Sequence, residues 1–250
     1  MHRPLIGLCA LVALFGAPQT RVNDDLLASS TSGDAAKLTI LLAHGADVNV
    51  RNARGQTPLL LAAAGGNLEA VKLLLKRRAD AKATDTSGTT ALMLAAMEGR
   101  VSVVEVLLGD ALPNRDARIN AKNNLGMTAV IYAVMTDHLA VGEILVGKGA
   151  DVNARTSTGT SALIIAASQG RSAAATFLLG HGANPNQPDN SGWTPLMAAT
   201  AHNDYEIVKT LLDRGANVNS RDHRGYTALR VATVQGYAAI RDLLKQHRAE

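Results

Sequence analysis

Asn190 to Asp222 read NSGWTPLMAATAHNDYEIVKTLLDRGANVNSRD. Gly192 permits the positive φ of a tight turn. Thr194 then offers a hydroxyl to the first free N–H groups of a helix, and Pro195 suits the first turn of that helix. Small and apolar residues follow at helical spacing. A second amphipathic run, Tyr205 to Leu212, ends at Gly215, where a left-handed residue is expected to close the helix. Moving the window by 33 residues in either direction finds the pattern again, so periodicity governs every later inference.

The turn glycines are Gly55, Gly88, Gly126, Gly159, Gly192 and Gly225, at spacings of 33, 38, 33, 33 and 33. Thr57, Thr90, Thr128, Ser161, Thr194 and Thr227 follow them as capping hydroxyls. Paired small residues such as Ala62-Ala63, Ala95-Ala96 and Ala166-Ala167 let neighbouring helices approach closely. Gly66, Gly99, Gly170 and Gly236 break the chain between the two helices of a unit, and Gly149, Gly182 and Gly215 close the second helix. Seven units result, at about 22–52, 53–85, 86–123, 124–156, 157–189, 190–222 and 223–250.

Three places depart from the pattern. The first unit lacks the turn glycine, has Asp24 where the second has Thr57, and reads Ser29-Ser30-Thr31-Ser32 where later units have alanine. A terminal unit has one side in water, so polar residues are expected there. Arg78 stands where the helix-ending glycine belongs. Either it adopts the left-handed conformation at a cost of about 1 kcal/mol, or the helix ends differently. The third unit carries five extra residues within Gly109–Ile119, as neutral elaboration or as a loop that contacts a partner.

TPLL, TALM, SALI and TPLM, followed by Ala-Ala, Leu-Leu and Gly-Ala-Asp-Val-Asn, resemble the ankyrin repeat over about residues 22–250. The resemblance implies an all-α solenoid of about seven helix-turn-helix units, with hairpin-like loops projecting at right angles. The family's histidine after Thr-Pro-Leu is missing. Leu60, Met93, Ile131, Ile164, Met197 and Arg230 hold its places, so apolar packing is expected there except in the last unit.

Residues 1–20 lie outside the repeat. His2 and Arg3 precede an apolar run from Leu5 to Ala17. That is the build of a secretory signal peptide, and the run is short for a membrane span. Export to the periplasm or cell exterior is expected. The alternative is an uncleaved apolar helix on a cytosolic or host-directed module. The one cysteine, Cys9, excludes an intramolecular disulfide. A formal charge of +4 spread along 250 residues, with 3% aromatics, argues against nucleic acid as the partner.

No metalloprotease, hydrolase, phosphate-loop or dinucleotide motif occurs, so no enzyme, metal or cofactor is expected. Asp47, Asp80 and Asp151 recur as turn residues, and His44 and His181 are expected in solvent-exposed linkers. Tyr132 and Phe177 are expected in the core. A protein partner of a monomeric scaffold is expected on the concave face, at positions that the repeat leaves variable. Candidate contacts are Trp193, His202, His223, Arg224 and Tyr226 in the sixth and seventh units, and Leu125 and Met127 in the fourth. Trp193 and Tyr226 lie one period apart, so stacking should place them side by side, and aromatic residues and Arg are the usual interface anchors. In the ankyrin family a tryptophan before Thr-Pro-Leu often covers its own finger.

Overall fold

Each repeat starts its first helix on a hydroxyl. The side chains of Thr57, Thr90, Thr128, Ser161, Thr194 and Thr227 all accept a hydrogen bond from the backbone N–H three residues on. A computed structural model of the chain describes residues 19–109 and 118–249. It holds fourteen α-helices among the described residues. The loops form no extended strands there. They carry isolated bridges between Thr84 and Thr90 and between Arg155 and Ser161.

The chain divides into two compact units, Met1–Pro113 and Asn114–Glu250. The boundary falls within Gly109–Ile119, the stretch that carries five extra residues. In the first unit, α1 (Gln19–Ser32), α3 (Pro58–Gly65) and α5 (Ala91–Met97) form one row. Their partners α2 (Ala35–Ala43), α4 (Leu68–Lys76) and α6 (Val101–Leu107) form another. In the second unit the first-helix row is α7 (Ala129–Met135), α9 (Ala162–Ser168), α11 (Pro195–Ala201) and α13 (Ala228–Gln235). The second helices are α8 (Leu139–Gly147), α10 (Ser172–Gly180), α12 (Tyr205–Asp213) and α14 (Ala238–Gln246). Helices this short are marginal alone in water, so packing between repeats must hold them. The closely packed alanines supply it: Ala62, Ala63, Ala95, Ala96, Ala166 and Ala167 are fully buried.

Apolar residues do replace the family's histidine. Leu60, Met93, Ile131, Ile164 and Met197 are buried, and only Arg230 is exposed. Phe177 is buried against Gly142, where an added Cβ would lie 3.2 Å from the ring. Tyr132 packs on the core, and its hydroxyl accepts from Asn123 at 2.9 Å.

Several local expectations change. The register places Asp24 at the start of the first helix, but α1 already runs from Gln19. Ser29 and Ser30 are buried rather than turned to water, and their hydroxyls donate to the carbonyls of Asp25 and Leu26. Only Thr31 and Ser32 are exposed. Arg78 is left-handed, with φ 65°, and Arg248 repeats this in the last repeat. Where the fourth and sixth repeats lack the mid-repeat glycine, Asp137 (φ 64°) and Asn203 (φ 59°) take its conformation. His181 is more than a linker. Its Nδ1 lies 2.9 Å from the Phe177 carbonyl, its ring sits 4.6 Å from the Phe177 ring, and its Nε2 lies 3.5 Å from Glu143. The proposed signal peptide, with Cys9, lies outside the described residues except for residues 19 and 20, and so do residues 110–117 of the Gly109–Ile119 stretch that carries the insert.

Candidate functional site

The loop tips are set by a residue three positions before each turn glycine. Asn52, Asp85, Asn123, Asp189 and Asp222 each accept from two backbone N–H groups across the tip. This closes the hairpin without a strand ladder. Successive tips then join. The N–H groups of Thr86, Ser157, Asn190 and His223 donate to the carbonyls of Arg54, Leu125, Thr158 and Ser191, at 2.9–3.0 Å. The approach needs the turn glycine. A Cβ on Gly192 would stand 2.9 Å from the Asp222 Cα, and one on Gly126 would stand 2.5 Å from the Ser157 nitrogen.

A second ladder runs behind the tips. Asn153 and Asn186 use their Oδ1 to accept from the N–H groups of Asn184 and Asn217, and Asn49 and Asn120 serve Asp80 and Asp151 alike. Their Nδ2 groups add bonds forward: Asn120, Asn153, Asn186 and Asn219 donate to the carbonyls of Gly149, Gly182, Gly215 and Arg248. Asp47, Asp80 and Asp151 accept from the N–H two residues on, as turn residues do. These side chains are therefore occupied with the scaffold.

Two aromatic side chains that the ladders do not use stand in the sixth and seventh repeats. Trp193 is half-buried, and its ring packs against the core cluster of the second unit. Tyr226 is also half-buried, and the Arg230 guanidinium lies over its ring at 4.2 Å from the centroid. Trp193 and Tyr226 share the walls of one groove of about 220 Å³ with Val234, which is 72% exposed. Ala201 and Val231 also line it, with Arg224, Asp222 and Gln235 beside them. Arg224 is exposed, and its guanidinium makes no hydrogen bond or ion pair among the described residues.

The other candidates sit elsewhere. His202 packs over Gly170 of the preceding repeat, and His223 packs over Gly192, each filling the space of a missing Cβ. Both are exposed, and His223 borders the Trp193–Arg224 side of the tips. Among the described residues no cluster of His, Cys, Asp and Glu has the makings of a metal site. Leu125 is 64% exposed at the tip of the fourth repeat and lies outside this groove. Met127 is 8% exposed and belongs to the core cluster. It has little free surface to offer a partner, because its side chain is part of the same buried cluster as Ile131 and Val134. The sequence reading missed Asp222 and Val231. Val231 lies three and four residues before Val234 and Gln235, on one helix face, so helical spacing carried the signal.

A family model described as ankyrin repeats (3 copies) matches residues 26–123, 112–189, 151–222 and 185–250. No curated protein sequence matches. Among solved structures, the chain is similar to the ankyrin repeat domain of Bcl-3, described as a unique member of the IkappaB protein family. The two share 29% identity over 88% of this chain and 97% of that one, with a TM-score of 0.78. Matches extend to 575 chains of solved structures, so the likeness carries an architecture and singles out no partner.

Proposed function

The chain belongs to the ankyrin repeat family, whose repeats generally serve as non-enzymatic protein-interaction modules, and we propose that it binds a partner protein through the concave side of its sixth and seventh repeats. The observation that carries this reading is the groove shared by Trp193, Tyr226 and Val234. Trp and Tyr, with Arg, are the residues in which interface hot spots are enriched, and Trp193, Tyr226 and Arg224 all line this groove. Its framework supports the reading as well. The tips are tied to one another by backbone bonds, so little ordering entropy is lost on association.

Parallel affinity capture with the full chain and its Trp193→Ala variant, followed by titration of the partner retained, tests the reading. Trp193→Ala should weaken that partner by at least about 2 kcal/mol. Equal affinity for both proteins would remove the groove from the interface. The variant should also lose some stability, because the ring packs on the core. A melt therefore has to accompany the titration.

We also propose that the protein is exported to the periplasm or the cell exterior. The basic start and the apolar run from Leu5 to Ala17 support export. N-terminal sequencing of the native protein separates a cleaved chain from an intact one.

A further inference from the structure

We infer that the groove of the sixth and seventh repeats receives an acidic segment of the partner: one large apolar side chain between Trp193 and Tyr226, with a carboxylate beside it reaching Arg224. The inference rests on the binding reading above and names the chemistry of what is bound.

Size sets the first limit. Small-molecule sites usually offer roughly 300–1,000 Å³. The groove offers about 220 Å³, shares Trp193, Asp222 and Arg224 with a second open hollow of about 270 Å³ at the tips, and opens to solvent along the exposed Val234 and Arg224, which suits a side chain of a longer ligand better than an enclosed cofactor. Trp193, Ala201, Tyr226, Val231 and Val234 make most of its walls apolar, so that side chain is apolar.

Charge sets the second limit. Arg224 lines the groove and Arg230 stands beside it on the Tyr226 ring, and neither is paired with a carboxylate among the described residues. The nearby acids are spent on the backbone. Asp222 accepts from the Arg224 and Tyr226 N–H groups at 2.9 and 2.7 Å. Asp189 accepts from the Ser191 and Trp193 N–H groups, and Asp204 caps α12 through the Ile207 N–H. Asp222 lines the groove as well, but its Oδ1 accepts from those two backbone donors and it makes no ion pair with the Arg224 guanidinium. A guanidinium offers a planar fork that a carboxylate completes in two hydrogen bonds. A cationic segment would face Arg224 and Arg230 with nothing to pair them.

Trp193 is the only tryptophan, so its fluorescence reads this groove directly. The test pans a random-peptide phage library on the full chain, with counter-selection on the Trp193→Ala variant. Survivors are then titrated by Trp193 emission against wild type and Arg224→Glu at two salt concentrations. The expected survivors carry a leucine, methionine or aromatic residue with Asp or Glu within two positions. Arg224→Glu should weaken them by about tenfold or more and reduce their sensitivity to salt. Survivors that are neutral or basic and bind Arg224→Glu as well as wild type overturn the acidic assignment, while leaving the groove as the binding site. A library with no Trp193-dependent binder overturns the groove itself. Concentration-dependent dimerisation abolished by Trp193→Ala would assign the groove to a second copy of this chain and overturn the inference as well.

Discussion

The backbone N–H of Asn217 donates to the Oδ1 of Asn186 at 2.6 Å, across 31 residues of sequence. The Nδ2 of the same asparagine donates to the Gly215 carbonyl at 3.0 Å. One side chain thus joins the sixth repeat to the one before it and closes the end of α12. Each such bond contributes about 0.5–1.5 kcal/mol net.

Asn186→Ala should therefore lower stability by about 1–2 kcal/mol, towards the smaller end of the two-bond sum because the site is exposed. Urea unfolding at constant m-value measures it. An unchanged midpoint would mean that water replaces both bonds at no cost.

Thr200 is fully buried, and its hydroxyl has no hydrogen-bond partner among the described residues. The same repeat position holds Ala63, Ala96, Val134 and Ala167, all fully buried. In the last repeat the equivalent Thr233 is exposed and donates to the Leu229 carbonyl. Thr200→Val keeps the shape and removes an unsatisfied polar atom, so it should stabilise the protein by about 1 kcal/mol. A loss of stability on thermal or urea unfolding would show that the hydroxyl is satisfied after all.

Arg78 holds a left-handed backbone, and its side chain is exposed. Arg78→Gly relieves the Cβ strain and gives back some of that gain as unfolded-chain entropy, for a net rise of about 0.5–1 kcal/mol. Chemical denaturation reads the change. A decrease would mean that the arginine stem contributes packing worth more than the strain.

Leu196 is 1% exposed in the core cluster of the second unit, between Ala162 and Ala228 in the order of the repeats. Leu196→Ala should cost about 2–5 kcal/mol, the range for a buried leucine that leaves a cavity. A melt with no shift would remove Leu196 from the core.

The scaffold was readable because its causes are local. A hydroxyl before a helix and a glycine before a tight turn each do their work within a few residues, and all six capping hydroxyls make the bond expected of them. Repetition then multiplied the signal. What escaped depends on neighbours. Asp137 and Asn203 take a glycine's conformation, which Asp and Asn adopt more readily than most side chains, but it is the repeat around them that requires it at these positions. Ser29 and Ser30 look like surface residues, yet they turn inward and bond to their own helix. The variable positions were read as one set. Trp193, Arg224 and Tyr226 do meet at one groove, while Met127 occupies the same repeat position as Trp193 and lies in the core. A flexible methionine folds onto whatever apolar surface is near, and a bulkier indole leaves an edge outside.

The asparagine ladder uses one pair of atoms at every junction of the second unit, with the Nδ2 of one repeat on a carbonyl 29 residues further along. A stretch of 33 residues copied in phase there would arrive with each donor already opposite its acceptor, because both ends of the new segment match the old seams. Growth and shortening by whole repeats are then the gentlest changes of length available to this gene. A duplication out of phase would strand the same groups without partners.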